Sequence, residues 1–204
     1  MLTEIQEAAD GSSCAQLLDY LINQRFQGKT VVTASLRARS IVVLQMVADI
    51  NPATPIIFCH AGTLFPESVE YKKNTIERFG FTDIREPKTG EFVTLPGDYD
   101  HVEWLKAHYK GTKNYVKEAL HLNKSLEGFE CWVSAVYHLP HNIKPRHRID
   151  IEGKLIRVNP LLDWTNETVA EYMKAYDLPR HKLAKHEDDS QDGEGGGLIP
   201  SYAY

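Results

Sequence analysis

Apolar positions in the first half of the chain alternate between stripes at helical spacing and short solid runs. Leu17, Leu18, Leu21, Ile22 and Phe26 form such a stripe and predict a helix over residues 12–27, with Ser12 or Ser13 as N-cap and Gly28 as its stop. Residues 29–34 (KTVVTA) are β-branched and apolar, which predicts a short buried strand. Residues 40–50 read as a mostly buried helix that Asn51-Pro52 terminates. A second buried strand is predicted at 55–60 (PIIFCH). Pro66 suits the first turn of a helix reaching Phe79, and 81–85 supplies a third strand. Short connections in this β-α-β-α-β series imply a parallel sheet covered by helices.

The second half is less regular. Pro87, Gly90, Pro96 and Gly97 mark a surface loop over 86–100, followed by helices at 101–109 and 113–126. Residues 129–136 (FECWVSAV) predict another buried strand, 137–150 a polar loop without periodicity, and 154–158 a strand. A helix is expected over 165–176, opened by Thr165 as N-cap, although the third helical position lacks the Glu of a capping box. From Lys185 the chain turns acidic and glycine-rich (HEDDSQDGEGGG), so residues 1–184 are expected to form one domain and 185–204 a flexible tail. The fold expected is α/β, an open, mostly parallel sheet with helices on both faces.

A composition of 42% hydrophobic and 25% charged residues is that of a globular domain, which excludes a disordered chain. The formal net charge of −5 argues against a general nucleic-acid binder, but a local basic patch can still hold an anion. Cys14, Cys59 and Cys131 are far apart and form no CxxC, so neither a disulfide framework nor a zinc or iron–sulfur site follows, and no bound cofactor is expected. Cys59 and Cys131 lie in apolar strands and read as small buried hydrophobes. Neither a signal core nor a membrane-length apolar run is present, which leads to the expectation of a cytoplasmic protein.

Chemistry concentrates after the first strand. A loop between a parallel strand and the next helix offers backbone N–H groups and a positive helix end to phosphate or sulfate. Ser35 and Ser40 can add hydroxyl donors, and Arg37 and Arg39 can grip an anion in bidentate fashion. The alternative is that both arginines are solvated on a turn. A second basic segment carries Lys144, Arg146 and Arg148, a ligand site or an ordinary solvated loop. His138, His141 and His147 have no diagnostic metal spacing, so no metal is expected. His181 and His186 are expected to be exposed, and Trp164 to anchor the core.

Three segments, in order, resemble the phosphoadenylyl sulfate (PAPS) reductase family of the adenine nucleotide alpha-hydrolase-like superfamily. VVTASLRARSIVVLQMV (31–47) stands at that family's strand, phosphate-cradling loop and helix. PIIFCHAGTLFPESVEY (55–71) carries the G-x-LFPE signature through Gly62, Leu64 and Glu67, preceded by His60. NPLLDWTNETVAEYMKAYDLPRHKL (159–183) is similar to the family's P-L-L-D-W segment. The resemblance implies an adenine nucleotide or PAPS as ligand, a thiol-bearing redox or sulfur-transfer protein as partner, and a role in sulfur metabolism as an oxidoreductase or transferase. A homo-oligomer is compatible with it.

The departures are specific. Arg37 stands where the family has small residues. His60 and Ala61 replace an acidic residue and a threonine, and Tyr137 and His138 occupy the place of an arginine pair. The family's C-terminal Cys-Gly nucleophile has no counterpart after Cys131. Three functions stay open: sulfonucleotide reduction or sulfur transfer with an external thiol, a nucleotide-binding module without chemistry, and an adenylylating enzyme of the ATP-pyrophosphatase type.

Overall fold

Strand β1 (Thr30–Ala34) is buried at all five positions, so it needs a neighbour on each edge and cover on each face. The computed structural model, which describes residues 2–59, 66–85, 125–135, 147–152 and 154–182, supplies both. β1 pairs in parallel with β2 (Ile56–Phe58) on one side and β4 (Cys131–Ser134) on the other, with Val32 opposite Ile56 and Val133. β3 (Ile84–Arg85) extends the sheet beyond β2. β6 (Leu155–Val158) follows β4, and β5 (Ile149–Glu152) closes that edge antiparallel to β6. The order is β3-β2-β1-β4-β6-β5, with the other five strands parallel.

Alternate strand residues go to opposite faces, and two apolar clusters record this. Val32, Ala34, Ile56, Phe58, Val133 and Val158 join the larger core with α2 (Cys14–Asp19), α3 (Ala38–Ile50), α4 (Pro66–Phe79) and α5 (Asn166–Ala175). Val31, Ile57 and Trp132 face the other way and pack with Leu126. The expected open, mostly parallel α/β sheet is therefore what these runs build. No helix among the described residues is long and apolar enough to cross a membrane.

Local details depart from the sequence pattern. An N-terminal helix, α1 (Leu2–Asp10), went unpredicted because its buried stripe consists of little more than Ile5 and Ala9. The helix expected over 12–27 begins with a capping box: Ser13 Oγ accepts from the Gln16 amide at 3.3 Å, and Gln16 Oε1 accepts from the Ser13 amide at 3.0 Å. It then widens into a π-helical stretch at Tyr20–Arg25, where the Phe26 amide donates to Leu21 O at 2.9 Å. Gly28, at φ +69°, makes the turn into β1.

β5 lies partly within the segment expected to be a polar loop. Its charged residues hide an edge-strand alternation in which Ile149 is buried and Ile151 is 55% exposed. Thr165 caps α5 as expected, accepting from the Thr168 amide at 3.2 Å. His181 is a correction: it is 4% exposed rather than solvated, with Nε2 at 3.0 Å from Ser68 Oγ. The helix expected at 101–109, the one expected at 113–126 except its last two residues, and the tail at 185–204 lie outside the described residues.

Candidate functional site at the strand-order reversal

From β1 the chain moves outward through α3 to β2 and through α4 to β3. It then resumes on the opposite side of β1 as β4. The strand order thus reverses between β1 and β4, the kind of place where open α/β sheets bind ligands beyond the carboxyl ends of their strands. Ser35 follows β1, and Ala135 follows β4.

One hydroxyl spans the reversal. Ser40, in the first turn of α3 and 1% exposed, donates from Oγ to Ala135 O at 2.9 Å. The same oxygen accepts from the Ser35 amide at 2.9 Å and lies 3.0 Å from Ser35 Oγ. Ser35 Oγ in turn accepts from the Arg37 amide at 3.4 Å. The loop is thereby folded back on its own helix and tied to the neighbouring strand. Arg37 is the N-cap of α3, in extended conformation (φ −93°, ψ 161°), and its side chain makes no capping bond. The start of α3, with its positive helix end, therefore sits at the sheet's carboxyl edge beside the strand-order reversal.

The remaining expected ligands have different settings. Arg39, 9% exposed, directs Nη1 to Leu161 O (3.2 Å) and Nη2 to Trp164 O (2.8 Å) and Asn166 Oδ1 (3.1 Å). Arg148 lies at the start of β5. Its Nη1 donates to Ala9 O and to Ser12 O (3.2 Å), gathering carbonyls at the carboxyl end of α1. Glu67 is exposed in the first turn of α4, and its charge works on His181. His60, Gly62, Leu64, His138, Lys144 and Arg146 lie outside the described residues.

Sequence reading missed Lys72, whose Nζ stands 5.0 Å from the ring centroid of Phe58, the last residue of β2. The available signal was helical: Ser68, Tyr71, Lys72 and Thr75 share the stripe of α4 that turns inward. Ser68, Tyr71 and His181 form a second buried polar group. The Tyr71 hydroxyl donates to Pro179 O at 2.7 Å, and its ring meets His181 edge-on at 4.9 Å. Burial pushes the Tyr71 phenol up and holds the His181 imidazole below its ordinary value, against the opposing pull of Glu67.

The three cysteines are reduced thiols in unlike places. Cys131 is fully buried, which pushes its thiol up to about 12. Cys14 donates to Pro160 O at 2.9 Å, and burial raises it despite the nearby Arg148 guanidinium. Cys59 is half-buried just past β2, its amide bonded to Ala34 O at 2.7 Å. Among the described residues no three His, Cys, Asp or Glu side chains gather to hold a metal ion.

Residues 29–190 match the family described as the phosphoadenosine phosphosulfate reductase domain. The chain belongs to that family. A phosphoadenosine 5'-phosphosulfate reductase of Alkalilimnicola ehrlichii is 25% identical over 172 residues, covering 78% of this chain and 66% of the relative. An adenosine 5'-phosphosulfate reductase 2 of Bacillus subtilis is 29% identical over 185 residues, covering 82% and 76%. The chain spans about two thirds of the length of the first curated relatives it matches.

Among solved structures, the phosphate complex of a PAPS reductase from Candida auris superposes with a TM-score of 0.62 at 18% identity, covering 89% of this chain and 88% of that one. An FMN adenylyltransferase of Candida glabrata in complex with ATP gives 0.52 at 13% identity, covering 89% and 58%. At these identities both speak for the fold alone. The reversal of strand order in this PAPS reductase-type domain thus coincides with the loop that the sequence marks for anions.

Proposed function

We propose that this chain binds an adenine sulfonucleotide such as PAPS at the carboxyl ends of β1 and β4, and acts in sulfonucleotide reduction or sulfur transfer with a thiol brought by a second protein. The observation that carries the reading is the Ser35–Ser40–Ala135 knot. It folds the β1–α3 loop back at the strand-order reversal, where open α/β sheets bind ligands, and this supports reading the loop as an anion cradle. The start of α3 and the guanidinium of Arg37 supply positive charge for phosphate or sulfate groups. In the same proposal, His60, Gly62, Leu64 and Glu67 border the ligand from the β2–α4 side. His138, Lys144 and Arg146 contribute charge from the β4–β5 side, whereas Arg148 is engaged by Ala9 O and Ser12 O.

The settings of the three cysteines support the proposal of an external thiol. Reduction of a sulfonucleotide begins with a thiolate attacking the sulfonate sulfur. An S–S bond forms, the S–O bond to phosphate breaks, and the nucleotide leaves with the electron pair. A second thiol then resolves the thiosulfonate, giving sulfite and a disulfide. Such attack needs an accessible thiolate. Cys14 and Cys131 are buried and raised, which disfavours the thiolate, and Cys59 is half-buried beside a strand.

The test is sulfite release from PAPS with reduced thioredoxin, for the wild type, Cys59→Ser and Cys131→Ser. Binding without sulfite release by all three, with turnover on adding a thiol-bearing partner, is the expected result. Release that Cys59→Ser alone abolishes would make Cys59 the nucleophile and overturn the external thiol. Binding that no partner converts into turnover would favour a binding module.

A further inference from the structure

Arg39 occupies the first turn of α3 beside the anion loop, and both its terminal nitrogens reach a segment more than 120 residues later in the chain. They bond Leu161 O at 3.2 Å, Trp164 O at 2.8 Å and Asn166 Oδ1 at 3.1 Å. These acceptors belong to the turn over residues 159–164 and the first residue of α5. That turn is itself braced. The Leu162 amide donates to Asn159 O at 3.2 Å, the Trp164 amide to Leu161 O at 3.1 Å, and the Cys14 thiol to Pro160 O at 2.9 Å. α3 packs along α5, so the arginine joins two elements already in register.

We infer that Arg39 is a positioning residue, a strut whose guanidinium fixes the start of α3 against the 159–166 turn and so holds the Ser35–Ser40 loop in its ligand-binding arrangement. This rests on the nucleotide-binding reading above. The fork geometry matters as much as the charge: one planar group reaches a carbonyl from one nitrogen, and a carbonyl and an amide oxygen from the other. A lysine ammonium cannot span the same three acceptors from that stem. Without the strut, the loop samples other arrangements, and affinity falls by the fraction of molecules that remain competent.

The experiment measures calorimetric affinity for PAPS and for adenosine 3',5'-bisphosphate at several salt concentrations, with Arg39→Lys, Arg39→Met and Asn166→Ala. Hydrogen exchange is read at residues 36–41 and 161–166 in the ligand-free proteins. The strut predicts binding at least tenfold weaker in both Arg39 variants, an unchanged salt dependence in Arg39→Lys, and faster exchange in both segments together. Asn166→Ala, which removes one acceptor at an exposed position, gives a smaller loss in the same direction even if the Arg39 variants fold poorly.

Wild-type affinity in Arg39→Lys would show that charge alone matters and overturn the strut. Wild-type affinity in Arg39→Met would overturn it as well, and so would a weakened salt dependence in Arg39→Met with exchange unchanged, the mark of a direct anion contact. If the wild type binds no nucleotide, the functional reading fails separately. The strut then stands or falls on whether exchange rises in both segments.

Discussion

Replacing Ser40 by Ala removes one oxygen and leaves the packing volume nearly intact, so its cost reports the hydrogen-bond knot itself. Ser40 Oγ serves the Ser35 amide, the Ser35 hydroxyl and Ala135 O, all within 3.0 Å. Ala135 is buried, and orphaning its carbonyl costs about 1–3 kcal/mol. The Ser35 amide is half-buried and recovers part of its loss from water. Alanine's better helix propensity returns about 0.5 kcal/mol. The net expectation is a destabilisation of about 2 kcal/mol, or about 4–8 °C in Tm for a chain of this size. Urea unfolding should show a lower midpoint at unchanged slope, the sign of lost stability without a changed unfolded state. Ser35→Ala removes only the outer hydroxyl and should cost under about 1 kcal/mol. If Ser40→Ala costs no more than Ser35→Ala, the bond from Ser40 to Ala135 does not hold the loop, and the site geometry is wrong.

Two further predictions follow from buried titratable groups. Burial holds the His181 imidazole below 6.5 while Glu67 pulls the other way, with Ser68 and Tyr71 facing it from α4 and Arg180 and Lys182 flanking it in sequence. A depressed imidazole means the undocked segment binds more protons. Docking of residues 176–182 on α4 is therefore fully stable above about pH 6.5 and weakens as pH falls below it. Hydrogen exchange at Leu178 and His181 should accelerate between pH 7.5 and 5.5, and pH-independent exchange would refute the assignment. A thiol reagent at neutral pH should modify Cys59 first and reach Cys14 and Cys131 only on unfolding. Equal rates for all three would contradict the deeper burial of Cys14 and Cys131.

The parallel core was readable because buried strands write themselves as solid apolar runs. Residues 29–34, 55–60 and 129–136 each contain a strand that pairs as the β-α-β rhythm requires. The loop after the first strand was legible for the same reason, since its place between strand and helix fixes where its amides lie. What the pattern hid were features set by partners distant in sequence. Ile149 and Ile151 make an edge strand only when β6 lies alongside. Arg148 and Arg39 read as solvated or anion-binding cations until the carbonyls of Ala9, Ser12, Leu161 and Trp164 come within reach. His181 looked like part of a polar tail because nothing local announces Ser68, which lies 113 residues earlier.

The most direct test of the sulfonucleotide site is calorimetric titration of the full chain with PAPS, adenosine 3',5'-bisphosphate and ATP, with Arg37→Ala alongside. Saturable one-to-one binding of PAPS and the bisphosphate is expected, with weaker binding of ATP. Loss of a charge-assisted contact in Arg37→Ala should cost about 1.5–3 kcal/mol. Salt should weaken the wild type more than the variant. Absence of binding by any of the three nucleotides, or full affinity and salt dependence in Arg37→Ala, would contradict the sulfonucleotide site.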